Sequence, residues 1–490
     1  MSSLTGLRSQ DDIMKNKTLF SASLFSALTP LVAALLLAGC ASTSTFVPTA
    51  APAAPAAFKE AGDGRWANAA PAEAQARGRW WAVFADPVLD GLVERADLNN
   101  TSIQVAAARL AQARALVRSA DADRLPQIGV GAGAQRANNL VAGSNAPATV
   151  LSAGASASWE PDLFGRLAKA SNAASLDAQS REALLQSTRL VVQSDVAQAY
   201  FVLRALDAER ALVRETVTAY GDTLRLTQRR FAAGDVAELD LARVQSEVAA
   251  TQSQALALDR RRAQLEHALA VLLGEVPSSF TLAEAEWRGA LPNVPAGIPS
   301  TVLTRRPDVA AAQGSMLAAQ ARVGVARAAW FPDVALTANG GFASSDVGDL
   351  FKWSARSWGV GALLSLPLFD GGRREAGVQN ANAVWDAAAA SYREQVLVAF
   401  QDVEDQLAAL RLLADQAGAQ TQAVDASARA TVLSNSRYRN GLVSQLEFLD
   451  ARRSELTNRR QAVQVRAAQY QATVGLIRAL GGSWSSSGQS

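Results

Sequence analysis

The sequence predicts a mainly α-helical chain that also carries transmembrane β-strands, laid out as two tandem repeats. Each repeat holds two strands and a set of long coiled-coil-like helices. Three observations predict this: an internal repeat of about 206 residues, strictly alternating segments of about ten residues in both copies, and two long proline-free stretches with heptad spacing.

Residues 1–39 read as a lipoprotein signal peptide. Lys15 and Lys17 form a basic region, and Leu31–Ala38 is an apolar one, too short and interrupted to span a membrane well. It ends in Leu37-Ala38-Gly39-Cys40, which resembles a bacterial lipobox. The small residues before the cysteine fit the peptidase, and the thiol of the only cysteine is the attachment point for lipid. Ala41 rather than an aspartate after it points to sorting to the outer membrane. Asp11 and Asp12 are unusual in such a leader, so a start of translation at Met14 is the expectation, with Met1 the alternative. Residues 40–76, rich in Ala, Pro, Ser and Thr without periodic apolar residues, read as the lipidated N-terminus and a flexible tether.

Repeat 1 is assigned to 77–274 and repeat 2 to 301–482, with a linker over 275–300 and a flexible tail at 483–490. Four anchors set the register. Pro126-Gln127-Ile128 recurs as Pro332-Asp333-Val334, 206 residues on, and Pro161 with its Phe164-Gly165-Arg166 recurs around Pro367 to Arg373. Arg230-Phe231-Ala232-Ala233-Gly234 recurs as Arg437-Tyr438-Arg439-Asn440-Gly441, and Leu273-Gly274 as Leu480-Gly481, both at 207.

Each repeat opens with a helix, over about 100–124 and 307–329; Pro307 suits a first turn. Strands follow at 151–160 and 358–368, with weaker counterparts at 126–135 and 332–342. Leu151, Ala153, Ala155, Ala157 and Trp159 alternate with Ser152, Gly154, Ser156, Ser158 and Glu160; Trp358, Val360, Ala362, Leu364, Leu366 and Leu368 alternate with Gly359, Gly361, Leu363 and Ser365. One apolar face and one small or polar face match barrel strands, although a soluble sandwich alternates equally well. The heptads decide: Leu185, Val192, Ala199, Leu206, Val213 and Tyr220 recur every seven residues in a stretch with no proline between 162 and 276. They predict long helices over 166–231 and 373–438, about 100 Å each at 1.5 Å per residue, reversing at Gly234 and Gly441 into 38-residue returns. A return plus the opening helix nearly matches a long helix, so the two shorter helices stack end to end beside it. Four strands cannot close a barrel, and spanning sheets have no open edges in lipid, so the chain must oligomerise. Two copies supply eight strands and three supply twelve; the arithmetic does not choose.

The inventory excludes most chemistry. Lys plus Arg is 47 and Asp plus Glu is 45, leaving a net charge of +2, without the basic footprint of a nucleic-acid binder. One histidine, His267, excludes multi-histidine metal sites, one cysteine excludes disulfides, and no lysine follows a glycine as a phosphate loop requires. The expectation is no enzyme, no metal and no cofactor beyond covalent lipid on Cys40. Asp402, Glu404 and Asp405 cluster in sequence, but helical spacing spreads them over more than one face. Trp159, Trp353 and Trp358 near strand ends suit a membrane aromatic girdle.

The segments Trp80-Trp81-Ala82-Val83-Phe84-Ala85-Asp86-Pro87-Val88-Leu89, Trp159–Arg166, Arg305-Arg306-Pro307-Asp308-Val309, Phe331-Pro332-Asp333-Val334 and Leu366–Arg373 together resemble TolC-like outer-membrane efflux channels. The match is to the lipoprotein branch that serves resistance-nodulation-division pumps, and it covers essentially all of 40–482. The resemblance implies a homotrimer with a 12-stranded β-barrel in the outer membrane and an α-helical periplasmic tunnel. It implies docking to a periplasmic adapter and an inner-membrane resistance-nodulation-division pump, in the outer membrane of a Gram-negative bacterium. It places a periplasmic gate at Glu447 and Asp450, with Asp240 as the repeat partner of Glu447 and Tyr438 helping to hold the closed state. Carboxylates from three chains near one axis would favour cations over anions. The nearby Arg229, Arg230, Arg437 and Arg439 are candidate salt-bridge latches. Adapter docking falls to the hairpin tips, Gly234 and Gly441-Leu442-Val443; Asp235 departs from the glycine–hydrophobic pattern. The implied function is a passive duct exporting drugs or other small molecules. The alternatives are a periplasmic adapter lipoprotein, which would have one hairpin inside a β-rich domain, and a type I secretion channel of the same architecture.

Overall fold

A computed structural model describes residues 55, 57–61, 78–138, 147–287, 289–292 and 305–482. The signal peptide, Cys40, nearly all of 40–76, the end of the inter-repeat linker and the tail 483–490 lie outside the described residues.

The chain forms α1 (Pro87–Asn99), α2 (Thr101–Ala122), β1 (Gln127–Ala137), β2 (Ala148–Trp159), α3 (Arg166–Ala232) and α4 (Glu238–Leu272), then α5 (Pro307–Ala328), β3 (Asp333–Ser344), β4 (Arg356–Ser365), α6 (Arg373–Arg439) and α7 (Gln445–Ala479). Both long helices have 67 residues and both returns 35. The opening helix 100–124 is preceded by α1, which the repeat does not duplicate among the described residues. Its N-cap is Asp86, whose carboxylate accepts from the backbone N–H of Val88 and Leu89. Strand β4 ends at Ser365, so Leu366 and Leu368 fall beyond the ladder; Pro367 has no N–H to continue it.

The heptad stripe is the seam it was expected to be. Leu185, Val192, Leu206, Val213 and Tyr220 are buried, and Val196 and Leu203, one turn on from Val192 and Ala199, have no exposed surface. Helix α3 packs against α2 and α4 on one side and α5 and α7 on the other, while α6 packs against α5 and α7. Four columns therefore lie side by side in the order α2/α4, α3, α5/α7, α6.

Inside a column the short helices do stack end to end. Asn100 Nδ2 donates to Leu272 O at 2.7 Å, so the residue that N-caps α2 also ties down the last carbonyls of α4. Gly274 sits at φ +70°, and a Cβ there would lie 2.3 Å from Asn99 O. In the second column Arg306 Nη1 donates to Ala479 O at 3.4 Å while its other nitrogen pairs with Asp308 at 2.6 Å. The Trp80–Leu89 and Arg305–Val309 segments are thus structural joints. Trp80, Trp81 and Phe84 are buried with Phe201 and Tyr470, whose rings lie 4.7 Å apart, at the level where both columns break. The linker wraps this level: Trp287 stacks 4.8 Å from Tyr470, and Arg210 pairs with Glu284 at 2.8 Å and Asp259 at 2.5 Å. Within the segment read as a flexible tether, Phe58 is buried and the backbone N–H groups of Lys59 and Glu60 donate to Glu404. At least that stretch is docked on α6.

The strands form one antiparallel meander, β1-β2-β3-β4, in which β2 and β3 join the repeats. The register puts Ile128, Val130, Leu151, Trp159, Leu336, Phe342, Val360 and Leu364 on one face. The opposite face holds Gly129, Gly131, Gly133, Ser152, Ser156, Ser158, Asn339, Gly359 and Gly361. Gly154 and Gly341 oppose each other so closely that a Cβ on Gly341 would meet Ala153 O at 2.4 Å. Neither β1 nor β4 has an outer partner among the described residues. No described helix is long and apolar enough to cross a membrane.

Candidate functional site

Both hairpins reverse through the same turn. Gly234 takes φ +80° and its N–H donates to Phe231 O at 2.9 Å, while Asp235 N–H donates to Arg230 O at 2.8 Å. Gly441 takes φ +72°, donating to Tyr438 O at 3.0 Å, with Leu442 N–H on Arg437 O at 2.9 Å. These paired bonds close the orphan carbonyls of a helix end, and the left-handed residue between them is a glycine because a Cβ would strain it. The turns leave Leu442 68% exposed and Phe231 41% exposed, with Val443 half-buried, and Asp235 occupies the position of Leu442 in the first tip.

The two tips converge. Arg230 of α3 points a guanidinium at Tyr438 of α6, 6.0 Å from the ring centroid and 3.4 Å from its hydroxyl. Tyr438 stacks on Phe448 of α7 at 5.5 Å with an interplanar angle of 4°, and Arg452 covers the far ring at 5.3 Å. Beneath them Gln445 Nε2 donates to Thr227 Oγ1 at 2.7 Å, with both residues buried. One turn further up, Tyr220, Val244 and Leu449 form a small apolar cluster from both hairpins, and Arg453 of α7 pairs with Glu247 of α4. Burial of Tyr220, with the Glu247 charge nearby, pushes its phenol above the ordinary value; the hydrogen bond to Glu247 raises Arg453 in turn.

The expected carboxylates occupy distinct settings. Asp240 and Glu447 each lie in the first turn of a return helix, where the unsatisfied N–H groups and the macrodipole favour negative charge. Glu447 is also the fourth residue of Ser444-Gln445-Leu446-Glu447, and its N–H donates to the Ser444 hydroxyl at 3.3 Å, as in a capping box. Asp240 lies 3.8 Å from Arg243, and Asp450 lies 3.3 Å from Arg453. Among the described residues, no basic side chain pairs with the exposed Glu447. Of the candidate latch arginines, Arg230 reaches across the hairpins to Tyr438.

Gln445–Thr227 and Arg453–Glu247 were not anticipated. The signal for the first was present: Thr227 is the next heptad position after Tyr220, a polar residue on a buried stripe. The remaining candidates have other work. His267 is exposed on α4. Asp402 accepts from Arg306, Glu404 anchors residues 59–60, and Asp405 accepts from Gln401, so the three carboxylates serve three contacts.

Comparison with known proteins covers almost the whole chain. The family described as outer membrane efflux protein matches residues 92–275 and 298–482. The solvent efflux pump outer membrane protein SrpC of Pseudomonas putida is 33% identical over 464 residues, 93% of this chain and 98% of that protein. The cation efflux system protein CusC of Escherichia coli is 31% identical over 461 residues, again 93% and 98%. Among solved structures, the outer-membrane channel OprN superposes with a TM-score of 0.83 at 29% identity, covering 89% of this chain and 98% of that one.

Proposed function

The chain belongs to the outer membrane efflux protein family, and from that premise we propose that three copies close into a passive duct for small molecules, gated at the hairpin tips. It is an outer-membrane channel component of tripartite efflux systems, sited in the outer membrane of Gram-negative bacteria with a periplasmic helical tunnel. Adapter and inner-membrane pump partners are implied by that role.

The observation that carries the duct is the sheet, with its apolar face, its glycine- and serine-rich face and two edges that are free among the described residues, continuous with a wall of four columns whose outer edges are likewise free among them. Lipid tolerates no open edge, so the sheet is completed by other copies. The apolar face then meets lipid, and the small, polar face lines a lumen that water and solutes can fill. Such a duct performs no bond chemistry; the free energy for export comes from the inner-membrane partner. Relatives named for solvent and for cation efflux match this chain over nearly its whole length. That breadth fits a wide passage with little binding chemistry of its own.

At the tips, Glu447, Asp450 and Asp240 of three chains would bring carboxylates near the axis, making the constriction cation-selective. The exposed Leu442, with Gly441 and Val443, is the surface offered to an adapter; Gly234 shapes the matching first tip. Cys40 would carry the lipid anchor.

Single-channel recording from purified protein in planar bilayers tests the reading, beside a Glu447→Ala/Asp450→Ala variant. The expected result is a small cation-selective conductance that rises in the variant. A folded, oligomeric preparation without conductance in either form would refute it. Mass spectrometry of the N-terminal peptide checks Cys40, with a diacylated and N-acylated cysteine as the expected species.

A further inference from the structure

The wall of columns has two faces, and the aromatic belt at the column joints occupies one of them. Trp80 and Trp81 sit over Gln186, Leu190 and Gln193 of α3, with the Trp80 indole N–H donating to Gln193 Oε1 at 3.0 Å. At 3.6 residues per turn, Asp177, Arg181 and Leu184 leave α3 on the opposite side. A belt inside a ring of copies would obstruct the passage, so the belt lies outside and these residues face the lumen. Arg181 comes 15 positions after Arg166, the first residue of α3, which sets it about 22 Å below the strands.

That face carries a groove of about 610 Å³ between α2, α3 and α5. Three guanidiniums line it, Arg109, Arg181 and Arg322, against one carboxylate, Asp177, which Arg322 already takes. Arg109 and Arg181 are exposed, and no acidic side chain pairs with either among the described residues. Glu182, next in sequence, turns away to Arg114 at 3.5 Å. Three against one leaves two unbalanced positive charges per chain. The groove runs on into a second cavity of about 290 Å³, which shares Leu116 and Arg322 and adds Ala170, Ala173, Ala174 and Val325. Its rim is basic and its floor is apolar. This is not a general dressing of the lumen, because the repeat-related positions carry Ser315 for Arg109 and Ala388 for Arg181.

A guanidinium presents a fixed fork of donors that matches a carboxylate, and concave walls focus its field. A floor of alanines takes an apolar body out of water. Resting on the duct reading above, we infer that this groove binds amphipathic organic anions in transit, compounds with one acidic group on an apolar body of one or two rings. Arg109 and Arg181 hold the acidic group, and the apolar body lies along Ala170, Ala174 and Val325. The passage then has opposite chemistry at two levels, acidic at the tips and basic nearer the barrel. An anion that has passed the tips is drawn toward the barrel end, and a cation is repelled there.

The test is photolabelling of the purified oligomer in neutral detergent with 4-benzoylbenzoate, a carboxylate on two apolar rings that inserts into nearby C–H bonds when irradiated. Mass spectrometry locates the labelled peptides. The expected result is saturable labelling at Leu116, at 170–174 or at Val325, displaced by 2-naphthoate and not by 2-naphthylmethylammonium. Arg109→Gln/Arg181→Gln should raise the half-saturating concentration about tenfold, the factor carried by one charge-assisted hydrogen bond. Arg114→Gln, on the pair that turns away, should leave it unchanged. Circular dichroism checks that both variants fold. Labelling that does not saturate, falls outside the groove or ignores the double substitution overturns the groove and leaves the duct standing, since conductance is measured separately. A folded oligomer that passes no current overturns the duct, and with it the placement of the groove in a lumen.

Discussion

Replacing Thr227 by valine should open the periplasmic end. The substitution keeps the shape of the side chain and removes the acceptor that Gln445 Nε2 uses at 2.7 Å. Gln445 is 7% exposed and its Oε1 already lacks a partner, so the variant leaves a buried amide wholly unpaired. Stranding one buried donor costs about 1–3 kcal/mol. The contact bridges α7 to α3 near both tips, so parting the hairpins lets water solvate the amide and relieves that cost. The equilibrium should therefore move toward the open form by about 5–150-fold, the factor that such an energy represents. The assay is single-channel open probability in planar bilayers. Thr227→Val/Gln445→Leu supplies the control, because replacing both partners by apolar groups is nearly neutral and should return the channel to its resting probability. An unchanged open probability in folded Thr227→Val would refute the idea that this bond holds the tips together.

Three further predictions are independent of it. Glu447→Gln keeps the capping-box residue type while removing the charge, so it should lower cation selectivity, read as reversal potential in a salt gradient; the lost charge at the helix start costs only about 0.3–1 kcal/mol of stability. Gly274→Ala should cost at least about 2 kcal/mol in denaturant unfolding, because φ +70° disfavours a side chain and its Cβ would meet the Asn99 backbone at 2.3 Å. The Arg210 hydrogen bond, with Arg214 and Arg262 nearby, holds Glu284 below its ordinary 4.5, and Arg210 and Arg214 outweigh burial to lower Asp259. A lowered carboxyl stabilises the fold above its unfolded value, and that contribution is lost as pH falls through the folded one. Acid unfolding below the ordinary carboxylate range should therefore be shallower in Glu284→Gln, as followed by circular dichroism.

The helices were legible because their cause is local and periodic. The seven-residue stripe from Leu185 to Tyr220 is the buried seam itself, and proline-free runs ending at glycines left few places for a break. Strand faces were legible for the same reason, since alternation survives any change in partner. Helix α1 was missed because its buried residues, Leu89, Leu92, Val93 and Ala96, are too few to establish a period, and only the Asp86–Pro87 start marked it. The docking of residues 58–60 was hidden in a segment whose composition is that of a linker; a single Phe58 and a backbone grip on Glu404 fix it there. The reversals at Gly234 and Gly441 followed from the repeat and its glycines, the gate carboxylates were placed through resemblance, and the Ser444–Glu447 and Asp450–Arg453 pairs are local i,i+3 contacts whose spacing was present in the sequence. Arg453–Glu247, by contrast, joins α7 to α4 across 206 residues of sequence, a three-dimensional pairing that no spacing rule encodes.

The same contrast separates the rigid from the movable part of the wall. At the column joints the contacts between repeats are apolar and large: Phe84, Phe201, Trp287 and Tyr470 pack ring on ring, and Asn100 and Arg306 tie helix ends to the helices that continue them. At the tips the links are one buried hydrogen bond, one half-exposed ion pair, one arginine on a tyrosine and a three-residue apolar cluster. Opening costs least where little apolar surface parts and where the polar groups exposed are readily solvated. Motion should therefore be confined to the last turns before Gly234 and Gly441, with the joints as fixed fulcrums. The exposed Leu442 lies at the end of that short lever, so on the proposed reading a partner docking there would act directly on the contacts that hold the tips together.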